Sequence, residues 1–389
     1  MSSSPHEQSS RQRTRPVVSV VIVNYNSWPD TTRLAGSLAQ APEVADARAE
    51  VVVVDNASHE PPPEQFVNPP RGITLVLREH NSGFAAGVNA GRRAARGNWI
   101  LILNPDVVAG PNLIRQVLDR VDSFDPDSPP GLVGFGLRNP DGSRQPSVGA
   151  FPNLLRTVWE QLIPRTRRKY QAGWRIQAGP VPWVTGACML ASTLMLDDVG
   201  GMDEDFFLYY EEVALCRAAW RRGRGVWYDP SVEVVHLHPL QNRTVSPQLR
   251  VITRHSKLLY FRKHLPWWEF ELLAGFVAGE ARVRGAWSRL RGRRAEASAW
   301  DAIVGLTSSI RRGGGPRGRL VLELAERATA IADADHSASR ADLPGRRHRQ
   351  RLGLFLNAWT RGPAAAPPAR GRKDGPGCQC DNTRRESRS

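Results

Sequence analysis

Cysteine is scarce in this chain, with four residues in 389. Cys188 and Cys216 stand in apolar runs, where buried free thiols are common, and Cys378 and Cys380 stand in a Gly/Pro/Arg-rich terminus with no second pair to complete a zinc site. A disulfide framework is thereby excluded, and a reducing cytosol is the expected compartment. Long apolar runs are absent as well. The strongest, Pro266 to Ala278, is broken by Glu269 and Glu271 and followed by Glu280 and Arg282, short of the ~20 apolar residues that span a bilayer. The opening MSSSPHEQSSRQRTR lacks the apolar core of a secretory signal. Most of the chain also lacks an excess of basic charge. The formal net charge is +15, yet residues 281–389 carry 23 Lys and Arg against 10 Asp and Glu, leaving 30 against 28 before them. The arginines of that end have no interleaved aromatics and follow no nucleic-acid reader motif, so no specific nucleic-acid partner is expected.

What is present is a succession of short apolar runs rich in β-branched residues. Val17–Asn24 and Val51–Asp55 are continuously apolar rather than alternating, and Leu34 and Leu38 recur between them at helical spacing. That combination predicts parallel strands buried on both faces and joined by a helix. The alternation continues with a strand over Ile73–Leu77, an Ala-rich helix over Phe84–Arg96, a strand over Trp99–Leu103 and a helix over Leu113–Val121. Asn24, Asp55 and Asn104–Asp106 then fall just beyond the C-terminal ends of strands, the edge at which open α/β sheets bind ligands. Beyond Gly131 the pattern is less regular: an apolar Trp183–Ala191, a helix from Glu211 to Arg222, and strands at Trp227–Tyr228 and Val232–His236. Helical spacing returns from Ser246 to His264 and from Trp267 to about Ile310, with one more short helix near Leu320–Asp333. The Ala/Pro/Arg-rich remainder cannot bury enough apolar area to offset its ordering entropy and is expected to be disordered.

Several residue types in this frame carry chemistry, each with a plainer alternative beside it. Asp55, opening DNAS, can accept hydrogen bonds from a nucleobase imide or a ribose hydroxyl, or simply make an Asp-Asn turn. Asp106, in Asn104-Pro105-Asp106, is a hard oxygen ligand suited to a divalent cation on phosphates, or a turn cap. The stretch Asn81 to Gly91 enters a helix with glycines at 83, 87 and 91. These permit close backbone approach to a ligand, or tight packing of the helix on the sheet. Glu211 and Glu212 begin a helix after the aromatic run Phe206–Tyr210, so the helix dipole favours their charge and one can point into a cleft, or they are two ordinary acidic residues of a first turn. His236 can join Asp106 on a metal, with His238 as a competitor, or it is a structural histidine.

Taken in order, VVIVNYN, VVVVDNAS, HNSGFAAGVNAG, WILILNPD, VTGACML, VGGMDEDFFLYYEEVALC and YDPSVEVVHLH closely resemble the family 2 glycosyltransferases, particularly the rhamnosyltransferase-like branch, from about Val17 to His264. The resemblance implies an α/β GT-A fold: a mixed, mostly parallel sheet flanked by helices, here with a C-terminal helical extension and a disordered basic tail. It implies that Asn24 and Asp55 contact the nucleotide and that Asn81 and Asn89 line the donor pocket, with Asn26, Asn56, Gly83 and Asn104 as further nucleotide-sugar-binding residues. By the same resemblance Asp106 and His236 hold Mn²⁺ or Mg²⁺, and Glu212 is the base with Glu211 supporting it. One departure is Ala214, where the branch commonly carries a second acidic residue.

The expected division is a disordered 1–15, a transferase domain over 16–264, a helical and membrane-interfacial extension over 265–311, and a mostly disordered Arg/Pro/Ala-rich tail over 312–389. Within the domain, 16–125 would bind nucleotide sugar and 126–264 would carry acceptor recognition and catalysis. The expected activity is inverting transfer of a sugar, L-rhamnose from dTDP-rhamnose in the leading version, with a UDP-sugar as the other donor considered. The acceptor would be a glycan or a polyprenyl-linked sugar in cell-envelope synthesis. The expected location is cytoplasmic, with peripheral contact to the anionic inner face of the plasma membrane through Trp267, Trp268 and the basic end. The competing class is a catalytically silent GT-A domain that binds nucleotide sugar or scaffolds a complex, suggested by Ala214.

Overall fold

The computed structural model describes residues 15–161, 177–238 and 245–341, with side chains to residue 330. The two ends expected to be disordered fall outside it over 1–14 and 342–389, as do Cys378 and Cys380. The first half alternates strands and helices: β1 (Val18–Asn24), α1 (Trp28–Ala39), a turn-like α2 (Pro42–Ala45), β2 (Ala49–Asp55), α3 (Glu64–Val67), β3 (Ile73–Leu77), α4 (Phe84–Ala94), β4 (Trp99–Leu103), β5 (Val107–Val108) and α5 (Leu113–Asp122). The second half runs β6 (Leu132–Arg138), β7 (Arg144–Gln145), β8 (Val148–Gly149), α6 (Leu154–Gln161), β9 (Gly179–Pro180), β10 (Trp183–Val184), β11 (Cys188–Ser192), α7 (Thr193–Val199), α8 (Glu211–Arg221) and β12 (Val226–His236). Four helices close the described chain: α9 (Pro247–His264), α10 (Trp267–Leu290), α11 (Arg294–Arg311) and α12 (Arg319–Ala341).

The main sheet runs in the order β3-β2-β1-β4-β11-β6-β12-β5, with β7 on β6 and β9 on β12. The four strands from β3 to β4 are parallel, β11 enters antiparallel between β4 and β6, and β12 returns parallel to β6. This is the mixed, mostly parallel sheet flanked by helices that the GT-A resemblance implies. The continuous apolar runs have the expected cause. Val21 and Val23 of β1 point into one core with α4 and α8, while Val20 and Ile22 point into the other with α1 and α5. Both faces of the central strands are therefore dry.

The helices α9 to α12 extend the first of these cores and pack on one another. The last is longer than the short helix expected near Leu320–Asp333, and Val321, Ala325 and Ala328 are buried on it. Its docking uses a buried histidine. His255 of α9 has no exposed surface, and its Nε2–H donates to the Pro316 carbonyl at 2.7 Å in the link to α12. Burial pulls its pKa down to about 4 from 6.5. The ring stays neutral when folded, so between pH 6.5 and about 4 only the unfolded chain takes up its proton, and stability falls as pH falls through that window. The contribution of His255 is expected to be about 2 kcal/mol smaller at pH 5 than at pH 7.5. Denaturant unfolding of wild type and His255→Gln at the two pH values checks this, the variant showing the smaller drop.

Candidate active site

Parallel register aligns the ends of the first three strands. Asn24 pairs with Asp55 and Asp55 with Leu77, so the residues that follow crowd one sheet edge. Asp55 Oδ1 accepts from Asn24 Nδ2 at 2.8 Å and from Ser58 Oγ at 2.6 Å, and Oδ2 accepts from the Ser58 amide. Asn24 is wholly buried, and its Oδ1 accepts from Thr31 Oγ1 and the Ser27 amide. Its side chain is committed to holding Asp55 and the start of α1, so it reaches a ligand only through Asp55. Asn26 stands in the left-handed region at φ 53° and its Oδ1 accepts from the His59 amide, which folds the β1 and β2 loops together. Asn56 Nδ2 donates to Asn81 Oδ1 at 2.7 Å and to the Gly83 carbonyl. Five of the expected donor-side residues, with Gly83, thus form one continuous hydrogen-bonded pocket wall.

Two further residues join that wall without having been singled out in the sequence. Arg78, the first residue after β3, donates from Nη1 to Asn56 Oδ1 at 2.9 Å, and burial lowers its pKa. It is a cation fixed at the edge where a diphosphate or base would lie, and its position one residue past Ile73–Leu77 was the available signal. Tyr25 is buried, its phenol pushed up by burial and held by Asn81 and Asn26. Glu326 of α12 lies near enough to add to that shift, so the C-terminal helix flanks this pocket.

The glycines of the Asn81–Gly91 stretch divide between the two alternatives. A Cβ on Gly87 would lie 2.6 Å from Val23 Cγ1, and Gly91 abuts Val21, which is helix-on-sheet packing. Gly83 is different: it has φ 99°, and a Cβ there would run into the Phe207 backbone, with Cα at 2.7 Å. The next amide, Phe84, donates to the Phe207 carbonyl at 2.9 Å, tying α4 to the loop before α8. Gly83→Ala is therefore expected to cost at least about 2 kcal/mol in folding stability. Denaturant unfolding measures it, and a loss under half that would mean the loop yields. Asn89 is not brought to the pocket wall with the others. Its amide donates to the Met202 carbonyl and Glu204 and accepts from the Met202 amide, so it bolts α4 to the loop after α7.

Asp106 and His236 are separated by 130 positions in the chain and meet because β5 pairs with the end of β12, His236 opposite Val107. Both are buried, with His236 Nε2 3.3 Å from Asp106 Oδ1, and the Leu237 amide donates to the Asp106 carbonyl. His236, rather than His238, makes this approach. On its other side, His236 Nδ1 lies 2.9 Å from Gln145 Nε2, while Gln145 Oε1 is buried with no partner among the described residues. In this orientation the amide donates to Nδ1 and leaves the proton on Nε2, facing Asp106. Turning the amide over lets Oε1 accept from Nδ1–H and leaves Nε2 bare beside the carboxylate. A carboxylate oxygen and an imidazole nitrogen then converge, a donor pair that fits Mn²⁺ or Mg²⁺. Among the described residues no group of three or more His, Cys, Asp or Glu side chains forms a cage. The pair suits a cation whose remaining ligands are phosphate and water.

Glu211 and Glu212 are both buried in the first turn of α8, where the helix dipole favours their charge. The helix begins directly after Tyr209 and Tyr210, both left-handed at φ 68° and 71°. Each such residue costs about 1–3 kcal/mol, and surrounding contacts hold them. Ser256 Oγ of α9 donates to the Leu208 carbonyl at 2.7 Å, and the rings of Tyr210 and Tyr260 pack tilted at 45° with centroids 5.4 Å apart. Gly186 sits against this turn, its Cβ direction 3.8 Å from Glu212 Cβ. The adjoining Ala187 carbonyl accepts from the Asn104 amide at 3.0 Å, so Glu212 and the Asn104-Pro105-Asp106 turn flank one short loop. Ala214 is buried in the apolar core on the other side of the helix turn.

This edge brings together a polar hydrogen-bonded wall, a carboxylate-imidazole pair able to hold a divalent cation, and a buried glutamate able to take a proton. Glycosyl transferase family 2 matches residues 19–199. The N-acetylglucosaminyl-diphospho-decaprenol L-rhamnosyltransferase of Mycobacterium tuberculosis is 30% identical over 279 residues, covering 66% of this chain and 88% of that one. The low-salt glycan biosynthesis hexosyltransferase Agl10 of Haloferax volcanii is 26% identical over 57% of this chain and 68% of its own. The solved mannosyltransferase PcManGT from Pyrobaculum calidifontis, in complex with GDP-Man and Mn²⁺, is similar at a TM-score of 0.45 and 16% identity, covering 90% of this chain and 83% of that one. The chain belongs to the family 2 glycosyltransferases.

Proposed function

We propose that the chain is an inverting, metal-assisted transferase that moves a sugar from a nucleoside diphosphate to a hydroxyl of a lipid-linked or polysaccharide acceptor in cell-envelope glycan synthesis. The choice of L-rhamnose from dTDP-rhamnose, and of a polyprenyl-linked acceptor, rests on the M. tuberculosis relative. Peripheral contact with the inner membrane belongs to the same reading, because a polyprenyl-linked acceptor is held there. The observation that carries the reaction is the meeting of three elements at one sheet edge: the wall around Asp55, the Asp106–His236 pair, and Glu212 across the Gly186 loop.

In this reading Asp55 accepts hydrogen bonds from the base or ribose, and Arg78 and Asn81 bound the donor on the same wall. Asp106 and His236 would hold Mn²⁺ or Mg²⁺ against the donor diphosphate, where the cation neutralises the charge of the leaving group. Glu212 takes the proton of the acceptor hydroxyl as its oxygen bonds to the anomeric carbon. The bond from that carbon to the diphosphate breaks on the opposite face, which inverts the anomeric configuration. Glu211 supports the base or binds the acceptor.

Melting curves with dTDP-, UDP- and GDP-sugars plus Mn²⁺ test the donor side, followed by transfer to a polyprenyl-diphosphate-linked amino sugar. A rise in melting temperature with a dTDP- or UDP-sugar is expected, together with labelled product in wild type alone. Donor binding with equal and negligible product from wild type and Glu212→Gln would instead identify a silent sugar-nucleotide-binding domain.

A further inference from the structure

Helix α10 is apolar on two opposite faces, and only one of them is packed. Phe270, Ala274, Val277, Ala281 and Ser288 are buried toward the other C-terminal helices. Opposite them, Trp268, Leu272, Phe276, Val283, Trp287 and Leu290 are between 48% and 81% exposed. At about 100° per residue these six fall within an arc of roughly 100°. They form a single stripe along a helix of 24 residues, ~36 Å long. Scattered exposed apolar residues are ordinary, but a contiguous stripe is not. The short helix α6 enlarges it: its Leu154 amide donates to Glu269 of α10, and Leu155, Val158 and Trp159 are exposed beside that contact.

Charge identifies the occupant. Arg282 and Arg289 lie along one border of the stripe, Arg284 and Arg291 along the other, and Arg293 and Arg294 cluster beyond its end, all exposed. The acidic residues of the helix are already engaged, Glu269 by the Leu154 amide, Glu271 by Arg311, and Glu280 by Arg254 and Arg284. Arg284, Arg289 and Arg293 pair with Glu280, Asp301 and Glu296, whereas Arg282 has no carboxylate partner among the described residues and Arg291 lies over the Trp287 ring at 4.4 Å. A second copy of the chain would bring Arg282 and Arg291 against their own kind. An anionic bilayer neutralises them and takes up the apolar stripe between them, with tryptophans at both ends of the helix at headgroup depth. Among the described residues no helix is long and apolar enough to cross a membrane, and the packed face of α10 requires it to lie flat.

We infer that the outer face of α10, extended by α6, is the surface on which the enzyme rests on an anionic membrane. The inference rests on the proposed use of a lipid-linked acceptor, and it assigns membrane contact to a folded helix face rather than to the basic end of the chain. The catalytic loop is near this layer: α9, which packs against α10, also holds Leu208 and Tyr210 through Ser256 and Tyr260.

Flotation of the full chain with phosphatidylcholine vesicles, with and without phosphatidylglycerol, tests it. Wild type is expected to float with the anionic vesicles only. The double variant Leu272→Glu/Phe276→Glu is expected to bind at least about tenfold more weakly while keeping its melting temperature and its donor-induced shift. If that variant melts early, Val283→Glu alone carries the test. Wild-type failure to float overturns the inference. So does undiminished flotation of the face variants, particularly if replacing the arginines after residue 342 by glutamine abolishes it. A dimer seen by light scattering and dissolved by the same variants would assign the face to a second copy. Loss of donor binding in wild type would sink the functional reading while leaving the vesicle result standing.

Discussion

Glu212→Gln is expected to lower kcat for sugar transfer by about 10²–10⁴-fold, the usual worth of a positioned general base. Donor affinity should stay within about twofold, because the proposed donor contacts lie at the ends of β1, β2 and β3 and Glu212 lies on α8. The substitution keeps size and hydrogen-bonding shape, so a buried first-turn position tolerates it, and only the capacity to take a proton is lost. Glu211→Gln serves as the internal comparison. If Glu211 binds the acceptor, its loss raises the acceptor KM more than it lowers kcat. Equal losses in kcat from the two variants would mean that the pair acts as a unit, and a Glu212 variant with wild-type kcat would remove the base from the account.

Asp106→Ala is expected to weaken Mn²⁺ binding, measured by calorimetry in the presence of the nucleoside diphosphate, by at least about 100-fold. Turnover at saturating Mn²⁺ should fall by about 10²–10³-fold, as when one preorganised charge-stabilising contact is lost. The fold should survive, because the main-chain carbonyl of residue 106, not its carboxylate, anchors Leu237. His236→Ala should give a smaller loss of metal affinity, since the carboxylate carries most of the attraction for a hard cation. Gln145→Leu probes the partner behind it. With no carbonyl to accept from Nδ1–H, the proton is no longer steered away from Nε2, and Mn²⁺ affinity should drop without change in nucleotide affinity. Unchanged Mn²⁺ binding in Asp106→Ala would place the cation elsewhere.

The parts of this architecture that are local in the chain could be read from the residues. Continuous apolar runs ending in Asn24, Asp55 and Leu103 locate the buried parallel strands and the edge where the polar residues gather, because burial on both faces removes the alternation that a one-sided strand shows. What depends on pairing between distant segments was less accessible. Asp106 and His236 meet only because a two-residue strand adds to the end of β12, and nothing in either local pattern specifies that register. The resemblance singled out both residues, and the sheet explains their approach. Residues inside a hydrogen-bond network were harder still. Asn24 and Asn89 look like ligand amides in the sequence, yet each is fully engaged within the protein, while Arg78 looks like a surface arginine and is held in the pocket wall by Asn56. The length of α12 escaped the composition because its ordering comes from burial of Val321, Ala325 and Ala328 against other helices, not from its own sequence.

The most direct test of the reaction is the configuration of its product. In a single-turnover reaction of wild-type enzyme with the donor identified by melting, Mn²⁺ and acceptor, NMR of the new glycosidic bond reads the anomeric centre. Direct displacement with Glu212 as base predicts a product configuration opposite to that of the donor. Retained configuration would contradict the account.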